Sequence, residues 1–147
     1  MKIEYRAFDG PHDWGWVQSH IPLIRVQDTR GMMAVDTETN TTVGAAIFDN
    51  FLYNSAQVSL ISTTPMLHRH GFVLEVMNFL FDGYGKRYAY SLVREDNFRA
   101  LRLNKHVGFK EKMRLKEGYE KGCDFIVMEL DRDDCPIYLN QIREEVA

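Results

Sequence analysis

Residues 61–72 read ISTTPMLHRHGF and lead from a strand-like run into a helix-like one. Gly71 falls in the first turn of that helix, where free backbone N–H groups and the positive end of the helix dipole can hold a phosphate. Arg69, flanked by His68 and His70, adds positive charge there. An ordinary strand-to-helix turn uses the same glycine, so this segment alone leaves both readings open. Residues 95–111, EDNFRALRLNKHVGFKE, carry a stronger signal. Asp96 or Asn97 can cap a helix, Ala100 permits close approach, and Gly108-Phe109 turns the chain into another strand. The five histidines (His12, His20, His68, His70 and His106) and the two cysteines, Cys123 and Cys135, fit no ligand spacing. No metal site is expected, and the cysteines read as reduced structural thiols.

The elements that must position these residues follow from periodicity. Residues 2–8 alternate, with Ile3, Tyr5 and Ala7 on one side, as a half-buried strand does. Gly10 and Pro11 break it, and the irregular apolar spacing of residues 13–27, interrupted by Pro22, predicts two short helical pieces. Runs at 31–36, 43–48 and 56–61 predict three antiparallel strands. After Pro65 the period changes: Val73, Val76, Met77, Leu80 and Phe81 follow helical spacing until Gly83 and Gly85 end it. Residues 87–93 return to a strand, Ala100, Leu103, Asn104 and Val107 share a helical face, and Gly108 closes that helix. Residues 110–117 and 123–130 read as a hairpin, and Pro136 opens a short C-terminal tail, taken to start near residue 131. This order predicts one α/β (α+β) domain spanning residues 1–147, with a mixed sheet covered by helices. In such sheets a ligand sits beyond the carboxyl ends of strands, where neighbours separate.

Composition narrows the function. The chain has 147 residues, 45% of them apolar, enough for one sizeable core. It lacks the ~20 uninterrupted apolar residues of a membrane helix, and its first ten residues contain no secretory-type apolar block. A cytoplasmic location and no membrane partner are expected. A net charge of -3 argues against a general nucleic-acid binder. Its distribution is uneven: residues 1–85 hold 5 basic and 9 acidic side chains, residues 86–121 hold 11 and 5, and residues 122–147 hold 2 and 7. A positive middle between acidic ends suits either a phosphorylated small molecule or a solvated helix-and-hairpin face.

Asn97, Ala100 and Leu103, followed by Gly108-Phe109, match the N-x-x-A-x-x-L, then G-F, pattern of the GNAT superfamily of acyl-CoA-dependent N-acyltransferases. The element order from Lys2 to about Leu130 also resembles that family. The resemblance implies a mostly antiparallel mixed sheet with helices on both faces. It implies acetyl-CoA as co-substrate, wedged between the strand ending near Thr63 and the strand ending near Val93. Backbone groups near Ser62 and Thr63 would pair with the pantetheine arm. The loop His68, Arg69, His70, Gly71 and Phe72 would hold the pyrophosphate, and Asn97 would bond the pantetheine from the other side. At the positions of the family's Q/R-x-x-G-x-G/A loop this chain has His68, Gly71 and Val73, and departs from the pattern in keeping only the middle glycine. Asn104, counted with the cofactor-binding residues, stands where the family commonly places a Tyr as general acid.

The implied reaction is direct attack of an amine, from a small molecule or a protein, on the thioester. It requires a group that takes the amine's proton. No carboxylate lies on residues 56–62, Asp49, Tyr53 and Tyr90 are donors or acceptors on neighbouring elements, and the catalytic residue stays unassigned. Trp14 and Trp16 suit either an acceptor pocket or the core. A catalytically silent GNAT-like binding or structural protein is the competing expectation, and the oligomeric state stays open, a homodimer included.

Overall fold

The strand-like runs form seven strands in a computed structural model that describes residues 1–146. They are β1 (Ile3–Ala7), β2 (Arg30–Asp36), β3 (Thr41–Asp49), β4 (Ser55–Ser62), β5 (Tyr88–Arg94), β6 (Lys110–Glu120) and β7 (Cys123–Asp131). All lie in one sheet of order β1-β2-β3-β4-β5-β7-β6. Every neighbouring pair is antiparallel except β4 with β5. The helices are α1 (Pro11–Gln18), α2 (Phe72–Asn78), α3 (Phe98–Val107) and α4 (Pro136–Val146). The fold is the α+β, mostly antiparallel mixed sheet expected.

Two cores flank the sheet. On one face α1 buries Trp14 and Val17 against Met33, Ala45, Ile47 and Ile61. On the other, Phe72, Val73, Val76 and Met77 of α2 pack on Met32, Ala46, Phe48 and Ala89. The spacing of α2's apolar residues had predicted that face. Strands β2 and β3 are covered on both sides, which is why they read as nearly continuous apolar runs instead of alternating ones. Arg6 on β1 makes two hydrogen bonds to the buried Asp13 carboxylate and fastens α1 to the sheet. That guanidinium holds the Asp13 carboxyl below the usual carboxylate range.

Three segments differ from the expectation. Residues 13–27 form one helix and an irregular run: His20 and Ile21 N–H groups both bond the Val17 carbonyl, ending α1. Pro22 then bars a second helix, because it lacks an N–H and disfavours helical geometry at Ile21. The helix begun at Phe72 continues as a π-helical turn, Phe79–Gly83, closed by Tyr84 N–H on the Phe79 carbonyl at 2.9 Å. The segment after Pro136, read above as a short tail, forms α4. Its Tyr138 hydroxyl donates to Asp82 at 2.6 Å and its ring meets Phe81 edge-on. Cys123 and Cys135 are both free and buried. Among the described residues no helix is long and apolar enough to cross a membrane.

Candidate functional site

The parallel pair β4–β5 meets only through Ser55↔Tyr88, Ala56↔Ala89 and Gln57↔Tyr90. Beyond that point β4 stays with β3 as far as Ser62, and β5 stays with β7 as far as Arg94. The sheet therefore opens as two intact halves. Which backbone groups face the gap follows from one bond: Thr63 N–H donates to the Val43 carbonyl at 3.0 Å. Successive residues of a strand turn their N–H and C=O to opposite sides. Thr63 and Ile61 thus address β3, while Leu60 and Ser62 direct theirs into the opening, where no strand lies opposite.

The chain leaves β4 through a short 3-10 turn, Pro65–His70, whose start is capped by the Thr64 hydroxyl accepting from Met66 N–H. Leu67 anchors this turn, fully buried above Gly44 of β3. Any side chain at Gly44 would strike Leu67 and the Ile61 carbonyl. Gly71 follows in the left-handed region at φ 78°, with open space where its Cβ would stand. From there α2 begins, and its first N–H groups lack helical partners. From β1 the Tyr5 hydroxyl donates to the His70 carbonyl, and its ring stacks on Phe72. Burial pushes the Tyr5 hydroxyl up to about 12, so it remains a donor throughout the neutral range.

A cleft of about 210 Å³ joins these parts. Leu60 and Ser62 form one wall, Ala100 and Leu103 of α3 the other, and His68 and Arg99 lie beside them. Asn97 also lines it; its Oδ1 caps α3 by accepting from Ala100 N–H at 3.1 Å, which leaves its NH₂ as donor. His68 Nδ1 is buried and has no hydrogen-bond partner among the described residues. Burial, and then the Arg99 charge, holds this imidazole below its usual range. A buried polar atom without a partner is costly unless a ligand satisfies it.

Ser62, His68, Phe72 and Asn97 are thus brought together at one cleft. Arg69 and His70 are exposed on the turn beside it. Thr63 spends both its N–H and its hydroxyl on the Val43 carbonyl. Asn104 is buried one turn below Ala100, its NH₂ on the Met128 sulfur at 3.7 Å, against β7 and outside the cleft lining. Val73 turns its branched side chain into the core, clear of the turn. Leu60 and Arg99 join the site unforeseen, Ala100 and Leu103 of the α3 motif line it, and Tyr5 supports it from 65 residues away. Trp14 is core, Trp16 stacks on His20, and Tyr53 is almost fully exposed.

Solved structures share this architecture over nearly the whole chain. A mutant form of the spermidine/spermine N-acetyltransferase SpeG from Vibrio cholerae superposes with a TM-score of 0.77 at 16% identity, covering 95% of this chain and 99% of that one. The Vibrio cholerae spermidine N-acetyltransferase in complex with CoA and spermine gives 0.74 at 16% identity, covering 94% and 98%. The chain has the GNAT fold. A Desulfovibrio desulfuricans protein described as a GNAT-family acetyltransferase gives 0.69 at 16% identity, covering 88% and 99%. No sequence-family model matches the chain, and no curated protein sequence matches it. What it shares with other GNAT-fold proteins is thus carried by three-dimensional arrangement.

Proposed function

We propose that this chain is an N-acetyltransferase that moves the acetyl group of acetyl-CoA to an amine by direct attack in a ternary complex. The observation that carries the reading is the parting of β4 from β5 after Gln57 and Tyr90. Leu60 and Ser62 offer peptide groups along that opening, spaced for an extended amide-bearing chain such as pantetheine. At its mouth the Gly71 turn, Arg69 and Arg99 supply N–H groups and positive charge for a diphosphate. Asn97 and the unsatisfied His68 Nδ1 offer further polar contacts along the arm. A neighbour of the same fold holds CoA and spermine, which supports this donor and an amine acceptor.

The chain's own chemistry is orientation: the cleft fixes the thioester beside the fork so that the amine adds without loss of translational freedom. Acetyl-CoA is expected to raise the melting temperature, and Gly71→Glu or Arg69→Glu to abolish that shift. An unchanged melting curve at millimolar acetyl-CoA overturns the reading.

Asn104 favours a second one. It cannot donate a titrating proton at neutral pH, and it is occupied by Met128. A GNAT-fold binding protein without turnover would retain the acetyl-CoA shift and release no CoA with any amine of a panel.

A further inference from the structure

The parted strands open to both faces of the sheet, and the two faces differ. The donor cleft lies on the side of α2 and α3. On the other side α1 covers β2, β3 and Ile61 in a cluster that takes in no residue of β5 or β7, and Tyr119 of β6 packs on Phe125 and Arg94 at the far end of those strands. There Gln57, Tyr90 and Glu129 stand in one cross-strand row, because Gln57 is in register with Tyr90 and Tyr90 with Glu129. Tyr90 marks the vertex of the fork, and directly opposed side chains in such a row have Cβ atoms roughly 5 Å apart.

We propose that Glu129 seats the acceptor's ammonium group on this open face, so that the acceptor is an aliphatic primary amine, charged at neutral pH. The assignment rests on the donor reading above.

Asp49, Asp131 and Glu129 are the carboxylates of this face, beside the Tyr88, Tyr90, Ser55 and Ser59 hydroxyls. Asp131 is held by Arg87 at 3.3 Å, and Lys110, in register with Glu129, reaches instead to Asp134 at 3.5 Å. Asp49 lies beyond Gln57, one strand farther from the vertex, and accepts the Thr29 hydroxyl at 2.7 Å. The Tyr90 hydroxyl is drawn toward the same side, to the Asn50 carbonyl at 3.5 Å. Glu129 has only Lys112, at 4.0 Å, the outer limit of an ion pair, and both side chains are well exposed. Such a pair contributes little and gives way to a better-placed cation.

Held between Glu129 and the Tyr90 ring, an alkylammonium lies next to the thioester across the fork. It gives one proton to the Glu129 carboxylate, which passes it to solvent. The freed nitrogen lone pair attacks the carbonyl carbon, an N–C bond forms and the C–S bond breaks with its electron pair on sulfur. The second amine proton neutralises the thiolate, so amide, CoA thiol and one solvent proton result. An arylamine, neutral at pH 7, gains nothing from this seat.

The test is steady-state kinetics with n-hexylamine and aniline as acceptors, run beside acetyl-CoA melting shifts. Wild type is expected to favour n-hexylamine. Glu129→Gln should lower kcat/KM for it about tenfold and flatten its pH profile, with the acetyl-CoA melting shift unchanged. Lys112→Ala, which removes the competing cation, should leave kcat/KM equal or higher. A Glu129→Gln enzyme with wild-type kcat/KM and pH profile, or a preference for aniline, overturns the seat while leaving the donor reading intact. Absence of an acetyl-CoA shift in wild type overturns both.

Discussion

His68 buries the Nδ1 of a partly buried imidazole and gives it no hydrogen-bond partner among the described residues. Its affinity for a proton is lowered first by burial and then by Arg99. The unfolded chain therefore binds this proton more readily than the folded one, in a window whose upper edge is the ordinary value of 6.5. Stability rises with pH wherever the unfolded state holds more protons. The folded state should thus lose stability as pH falls below about 6.5, the reverse of a histidine that gains an acidic partner. Urea midpoints measured at pH 7.5 and 5.5 check this: wild type should lose more between them than His68→Gln, and equal losses would show that His68 does not contribute. The Asp13 carboxyl, depressed by Arg6, acts in a separate range below 3.8. The positive middle of the chain also resolves at this scale. Arg94 and Arg114 are taken up by neighbouring carboxylates of the hairpin region, whereas Arg99 lines the cleft.

At the scale of elements, the donor turn is held by a glycine on β3, two strands in from β1. Gly44 lets Leu67 descend onto the sheet, and Leu67 sets the height of the His68–Gly71 segment. Gly44→Ala should cost about 1–3 kcal/mol through overpacking and weaken acetyl-CoA binding without touching the ligand. Denaturation and the acetyl-CoA melting shift read both effects. In the Gly44→Ala/Leu67→Ala double variant the loss should fall short of the sum of the two single losses, as for coupled neighbours; strict additivity would disconnect the pair. This dependence is invisible in the sequence, since nothing marks Gly44 as the floor of a turn more than twenty residues later. What was legible is local. Asn97 and Gly108 delimit α3 through caps that act within one turn, and the parity of β1 and the apolar face of α2 follow from short periods. Leu60 and Arg99 escaped because their roles depend on which edge of β4 is free, a fact set by pairing between distant strands. α4 was missed because Pro136, taken as a stop, occupies the first helical position, where a missing N–H costs nothing.

The whole molecule is two sheet halves, β1 to β4 and β5 to β6, stitched by three residue pairs. Peptide groups on the two sides of β4 consequently live in different worlds: Ile61 and Thr63 are spoken for, Leu60 and Ser62 are not. Deuterium should therefore enter the amides of Leu60 and Ser62 early and those of Ile61 and Thr63 late. With acetyl-CoA present the early pair should slow to match the late one, because the pantetheine then acts as a surrogate eighth ribbon bridging the halves. Exchange that ignores acetyl-CoA at these two amides would show that the gap is not where the donor lies.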